Sequence, residues 1–301
     1  MSVITRGNFP ASQKQIAKDW FGRFYDTYPR LYNDLFDTET SNDAYEEFVE
    51  ASGFGLAPIK PENEQLSYDS EQQKVTTRFT HAAVALGYQV SHEEMADNKY
   101  DKLVKTRGQA LARSMAETKE TLGANIYNRA ETAGYVGGDG KTLLATDHPT
   151  DSGGQSNRLA VNADLSEASL EDLLIQISNA KNGRGLRINL KGKSLHVPTA
   201  LQFEATRIMS SVLQNDTANN AINAIKSLGM LPEGVKVNPY LTDSDAWFVR
   251  TDTPGMLLLQ RENLDFDEDQ NFDAYAMKFR AYERYVFKWY DWRAVYGSTG
   301  A

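Results

Sequence analysis

Between Met277 and Trp289, apolar and basic positions alternate. Met277, Phe279, Ala281, Tyr285, Phe287 and Trp289 fall on one side, with Lys278, Arg280, Arg284 and Lys288 between them. Successive side chains of a strand point to opposite faces, so this period of two predicts a strand with one buried and one charged face. The surrounding residues 272–296 hold ten aromatics in 25 positions: Phe272, Tyr275, Phe279, Tyr282, Tyr285, Phe287, Trp289, Tyr290, Trp292 and Tyr296. That density predicts one long final strand that closes a sheet. Just upstream, six acids fall in 12 residues (Glu262, Asp265, Asp267, Glu268, Asp269 and Asp273). They predict charge pairing with the basic face, within a subunit or between neighbours; the alternative is an ordinary sheet edge with solvated charges.

Elsewhere the pattern changes period. In the first part, to about Pro58, Ile16, Trp20 and Phe24 sit four apart on one face of a short helix that Pro29 limits. The aromatics Phe9, Trp20, Phe21, Phe24, Tyr25, Tyr28 and Tyr32 are too many for a lone helix to hide. They pack on the chain's own core or on another copy. Residues 75–80 and the alternating Val84, Leu86, Tyr88 and Val90 predict two strands of a long hairpin within 66–90. Ser91-His92-Glu93-Glu94 has capping-box spacing and predicts a helix start.

After a break near Asn98, Leu103, Leu111, Met115, Leu122 and Ile126 return to one face of a helix over 101–130. At ~1.5 Å per residue it is a rod about 45 Å long. Gly108 and Gly123 within it each cost about 1 kcal/mol relative to alanine. Residues 143–149 read as a strand running into a turn, and 164–180, with Leu170, Leu173, Leu174 and Ile177, as an amphipathic helix. Further expectations are strands at 194–198, 235–237, 246–249 and 256–259, a helix at 200–213, and a polar loop at 215–224.

Composition narrows the function. The chain has 301 residues, 41% hydrophobic, enough for one large domain or two smaller ones. No apolar run approaches the roughly 18 residues of a membrane span, and residues 1–7 have no signal-peptide core, so the expectation is a protein that stays where it is made. With no cysteine there is no disulfide, thiol nucleophile or thiolate metal site. A net charge of −9 disfavours nucleic-acid binding, yet on the wall of a container it would keep packaged DNA from adhering.

Candidate chemistry is weak. Residues 134–142 resemble a phosphate loop, but five residues rather than four separate Gly134 from the Gly140-Lys141 pair, and the segment leaves a helix instead of entering one. Asp147, His148 and Ser152 supply the residue types of a nucleophile triad without a nucleophile elbow. His81, His92 and His196 lack metal-ligand spacing. The expectation is therefore no enzyme, no catalytic, cofactor-binding or metal site, and no cofactor.

The order of arm, hairpin, spine helix, mixed region and aromatic strand resembles the major capsid proteins of tailed phages with the Hong-Kong-97-type fold. More narrowly, it resembles the Mu-like phage or prophage major head subunit. Three stretches carry the likeness: residues 90–94 leading into the spine helix, residues 144–149 with the glycine-rich turn after them, and residues 285–293 with Tyr296-Gly297-Ser298.

The resemblance implies an α+β fold divided into an N-terminal arm (1–58), an E-loop (59–92), a peripheral domain (93–163 and 263–301) and an axial domain (164–262). It implies copies of the chain forming pentamers and hexamers of an icosahedral head around double-stranded DNA, bound without sequence specificity. A separate scaffold protein, a maturation protease and a portal are the implied partners, with assembly in the bacterial host cytoplasm and residence in the virion. No long charged scaffolding segment precedes the arm, which favours a scaffold encoded elsewhere. Some relatives form lysine–asparagine cross-links; Lys74 is the only lysine well inside the expected hairpin, and no motif around it carries that chemistry over. The competing readings are an encapsulin-like compartment shell and a hydrolase using His148 and Ser152.

Overall fold

The computed structural model describes residues 18, 21–91, 93–94, 100–213, 222–271 and 276–301. Strand β8 (Met256–Asn271) and strand β9 (Ala276–Trp289) pair antiparallel along their whole length, from Met256 opposite Trp289 to Asn271 opposite Ala276. Strand β1 (Asp37–Thr40) adds in parallel to the start of β8, and β4 (Ala82–Ser91) adds antiparallel to β9, giving the order β1-β8-β9-β4. The expected alternation of β9 holds: Phe279, Ala281, Tyr285, Phe287 and Trp289 are buried, and the basic residues between them are not. The acids and bases meet across the strands, with Arg280 3.6 Å from Asp267 and Arg284 3.8 Å from Glu262. The acidic segment and the short strand expected at 256–259 are thus parts of one strand.

Across this sheet lies the spine helix (Tyr100–Asn128), matching the expected 101–130. Ser91 Oγ accepts the Glu94 N–H at 3.2 Å, the capping contact foreseen there. Leu111 and Met115 are buried with Phe266, Phe279 and Ala281, whereas Leu122, farther along the same face, is half exposed. Gly123 has a packing reason: a Cβ there would sit 3.3 Å from the Phe287 ring.

A second sheet has the order β10-β7-β5-β6. It comprises β5 (Gly192–Val197), β6 (Val235–Val237), β7 (Trp247–Thr251) and β10 (Val295–Ser298). Helix Glu167–Ser178 precedes its strands in sequence and helix Gln202–Ser210 lies between β5 and β6, both near the expected positions. Leu170, Leu173, Leu174 and Ile177 bury into the main core with Leu195, Trp247, Phe248 and Val249.

Three expectations fail. Residues 75–80 and 84–90 do not form a hairpin with each other. Strand β3 (Gln73–Thr80) pairs with β2 (Tyr45–Ala51), while β4 crosses to β9. Only His81 separates β3 from β4, and a hairpin needs at least a two-residue turn, favoured by Asn or Gly. The final strand is also broken: Asp291 accepts the Arg293 N–H at 2.9 Å, capping a 3₁₀ turn at Trp292–Ala294 that sends β10 to the other sheet. Residues 143–149 are not a strand. Asn157 takes the place of a ladder partner, accepting from Ala145 N–H at 3.0 Å and donating to Leu143 O at 2.7 Å and Val295 O at 2.9 Å.

Residues 21–36 dock on the rest of the chain. Phe21 stacks on Phe266 at 4.7 Å, and Tyr32, Leu35 and Phe36 join the main core. Of the aromatics expected to pack on the chain's own core or on another copy, Phe21, Phe24, Tyr25 and Tyr32 meet its own core. Phe9, Ile16, Trp20, the break near Asn98, His92, most of the 215–224 loop, Phe272 and Tyr275 lie outside the described residues, as does the side chain of Leu103.

Candidate functional site

His148 is fully buried and lies flat on Trp292, ring centres 4.3 Å apart. Its Nδ1 is 2.6 Å from Asp139 Oδ2 and its Nε2 is 3.1 Å from Asn157 Oδ1. The Asn157 amide is oriented by its backbone partners, so its oxygen faces the ring. Both ring nitrogens are therefore engaged by acceptors, leaving none to activate a nucleophile. Ser152 bonds Thr150 at 3.1 Å and Gln155 at 3.3 Å, and Asp147 pairs with Lys141. The triad by residue type is a set of separate structural contacts, and the hydrolase reading falls.

The other described histidines are also structural. His81 Nε2 lies 3.0 Å from Ser41 Oγ, and His196 Nε2 lies 2.8 Å from Ser194 Oγ. Burial, then the nearby cations Arg250, Lys236 and Lys193, pushes the His196 imidazolium down to about 3. Among the described residues no three His, Asp or Glu side chains are grouped to hold a metal. Two glycines of the 134–142 loop serve packing, since a Cβ on Gly138 would meet Thr77 Oγ1 at 2.2 Å and one on Gly137 would meet Trp289 Nε1 at 2.7 Å, while Gly134 and Gly140 supply positive φ.

What the chain does display is apolar surface on projections. The 52–72 segment joining β2 to β3 carries Phe54, Leu56, Ile59, Leu66 and Tyr68, all exposed, with Ile59 at 96% and Tyr68 at 90%. Polar contacts hold the base of this projection to its own subunit. Lys74 pairs with Asp151 at 2.7 Å, Arg293 with Glu50 at 3.0 Å, and Arg184 with both Asp69 and the Ser70 carbonyl. Phe48 stacks on Tyr290 at 4.9 Å. A groove of about 410 Å³ lies between the spine helix and β9, lined by Leu122, Ile126, Tyr135, Val136, Phe287 and Trp289 among others. Phe203, Val212, Ile222 and Leu228, in and beside the helices Gln202–Ser210 and Ala224–Leu228, are exposed as well.

Reasoning from sequence missed one buried constellation. Lys119 Nζ lies 3.0 Å from Glu283 Oε1 and 2.7 Å from Gln260 Oε1, between the spine helix and the sheet. The signal was there: Lys119 follows Leu111 and Met115 at intervals of four, and Glu283 falls in phase between Ala281 and Tyr285. A charge in phase with apolar positions is a buried charge, which requires a partner.

Among the described residues, then, the exposed features are a projecting apolar loop and an apolar groove. The fold is similar to that of a virus-like particle from Pyrococcus furiosus, at 11% identity and TM-score 0.57, covering 95% of this chain and 99% of that one. It is likewise similar to a structure from Mycobacterium phage Che8, at 14% identity and TM-score 0.53, covering 91% and 93%. The capsid of an empty GTA particle matches at 13% identity and TM-score 0.55, covering 90% of each chain. These likenesses establish the Hong-Kong-97-type fold. A comparison with curated protein sequences finds no match. Residues 74–298 match the model of the phage capsid protein family, so the chain belongs to that family and is a structural shell subunit rather than an enzyme.

Proposed function

We propose that the chain is the major head subunit of a Mu-like tailed phage or prophage, forming the pentamers and hexamers of an icosahedral shell around double-stranded DNA. The observation that carries this reading is the 52–72 projection, whose apolar side chains have no cover in a single copy. Its occupied state is the groove between the spine helix and β9 of a neighbouring copy. Each such side chain, once fully buried, contributes about 1.5–3 kcal/mol to association. In this reading the E-loop is the β2–β3 hairpin with its connecting segment, so it begins near Tyr45 rather than at residue 59. The sheet containing β8 and β9 with the spine helix forms the peripheral domain, and the sheet containing β5 to β7 forms the axial domain.

A scaffold protein, a maturation protease and a portal are the partners this reading calls for, with assembly in the bacterial cytoplasm. The surplus of acids suits an inner wall that does not bind its DNA. The test is to purify particles from the source strain, digest external nucleic acid with nuclease, and extract what is protected. Protected double-stranded DNA of uniform length supports the reading. Particles that hold only protein cargo would instead make this an encapsulin-like compartment.

A further inference from the structure

The short helix Tyr32–Leu35 has no side-chain cap from its own segment. Its cap comes from the spine helix: Glu120 Oε1 accepts the Leu31 N–H at 2.7 Å. Glu120 is only 4% exposed, and its second oxygen, Oε2, is buried with no hydrogen-bond partner. A buried carboxylate with a bare oxygen is costly, whereas the neutral acid keeps the Oε1 cap and removes the charge. We propose that the seam where residues 31–35 meet the spine helix is a proton-sensitive joint: a proton on Glu120 keeps it closed, and losing that proton opens it to water and loosens residues 21–36.

The surrounding charges do not cancel this effect. Lys119, the one cation adjoining in sequence, is already committed to Glu283 and Gln260. From the arm, Asp34 adds negative charge, itself paired with Lys236 at 3.1 Å, while Arg30 is tied to Asp26 at 2.6 Å. From the same helix Glu117 pairs with Arg113, and the Tyr32 and Tyr240 hydroxyls face the region without offering positive charge. Burial is the largest influence and lifts the Glu120 acid to about 7, against the lowering by the Leu31 and Tyr32 N–H groups and by Lys119. The sign follows from linkage. The acid is raised when the seam is closed, so closure is fully favoured below the ordinary carboxylate range and weakens as pH rises to about 7. The opening equilibrium should grow by up to about two orders of magnitude across that window.

The test is hydrogen–deuterium exchange of the full-length subunit between pH 5 and 8, corrected for the intrinsic rate and read on peptides spanning residues 21–36. Wild type should lose protection there as pH rises. Glu120→Gln, a permanent mimic of the neutral acid, should stay protected at every pH, while Glu117→Gln, which removes a half-exposed acid of the same helix, should keep the wild-type pH dependence. A wild type whose corrected protection does not change with pH overturns the joint, and needs no variant. So does a Glu120→Gln protein that titrates as wild type does, or a pH dependence that vanishes only in Glu117→Gln.

Discussion

Replacing Lys119 by methionine tests how the spine helix is held to its sheet. The change keeps an unbranched chain as far as Cε, with sulfur in place of Cδ, and removes the ammonium. In the wild type both partners of the ion pair are almost sealed from water, with 5% of the Lys119 side chain and 3% of the Glu283 side chain exposed. Glu283 Oε2 has no other donor, and the remaining contact to Oε1 is the Tyr25 hydroxyl at 3.4 Å. Lys119→Met would strand a buried carboxylate and leave Gln260 Oε1 without its donor. Breaking a buried pair from one side costs about 3–5 kcal/mol, whereas replacing both partners with apolar groups is far milder. The double change Lys119→Met with Glu283→Met should therefore recover at least half of the loss, a coupling of about 2 kcal/mol or more. Urea unfolding of unassembled subunits, followed by tryptophan fluorescence and circular dichroism together, measures all four corners of the cycle. A single variant within about 1 kcal/mol of wild type, or an additive cycle, would refute the claim that this pair is a desolvated tie.

Other consequences are as direct. Deleting residues 54–70 should leave a subunit with unchanged unfolding that no longer assembles, because that segment contributes almost nothing to its own core; loss of the folded monomer by circular dichroism would show the segment to be internal. His148→Phe keeps the stack on Trp292 but removes the ring's contacts to Asp139 Oδ2 and to Asn157 Oδ1, which keeps only its Ala145 N–H, so stability in urea unfolding should fall by about 1–2 kcal/mol. His196 gives a pH signature opposite to that of Glu120. Its imidazolium is pushed down to about 3 by burial, so its contribution is present above the ordinary histidine range and is lost as pH falls through 6.5 towards 3. Acid unfolding of His196→Gln should accordingly be shallower over that interval than that of wild type.

Much of the fold was legible because its longest elements repeat one period without interruption. Strand β9 and the spine helix each bury the face that their spacing assigns, and the Ser91 cap sits where the spacing put it. Pairing was less legible, because alternation tells that a residue lies in a strand but not which strand lies beside it. The β3–β4 hairpin was misjudged for this reason, although the single residue between the strands was a readable warning. Residues 143–149 were misread because Asn157, distant from the segment's pattern, satisfies its backbone from a side chain. The exposed apolar features were half visible. The run of Phe54, Leu56 and Ile59 among prolines and glycines is plain in the sequence, but the groove that suits it forms only when helix and sheet meet.

The central claim is that copies of this chain cover each other's apolar projections in a closed wall. Electron cryomicroscopy of particles assembled from the purified full-length protein tests it most directly. The account predicts hollow shells or capsomer rings in which density for residues 52–72 of one copy lies in the groove between the spine helix and β9 of the next. Monodisperse single subunits under every assembly condition, with that segment folded onto its own chain, would contradict it.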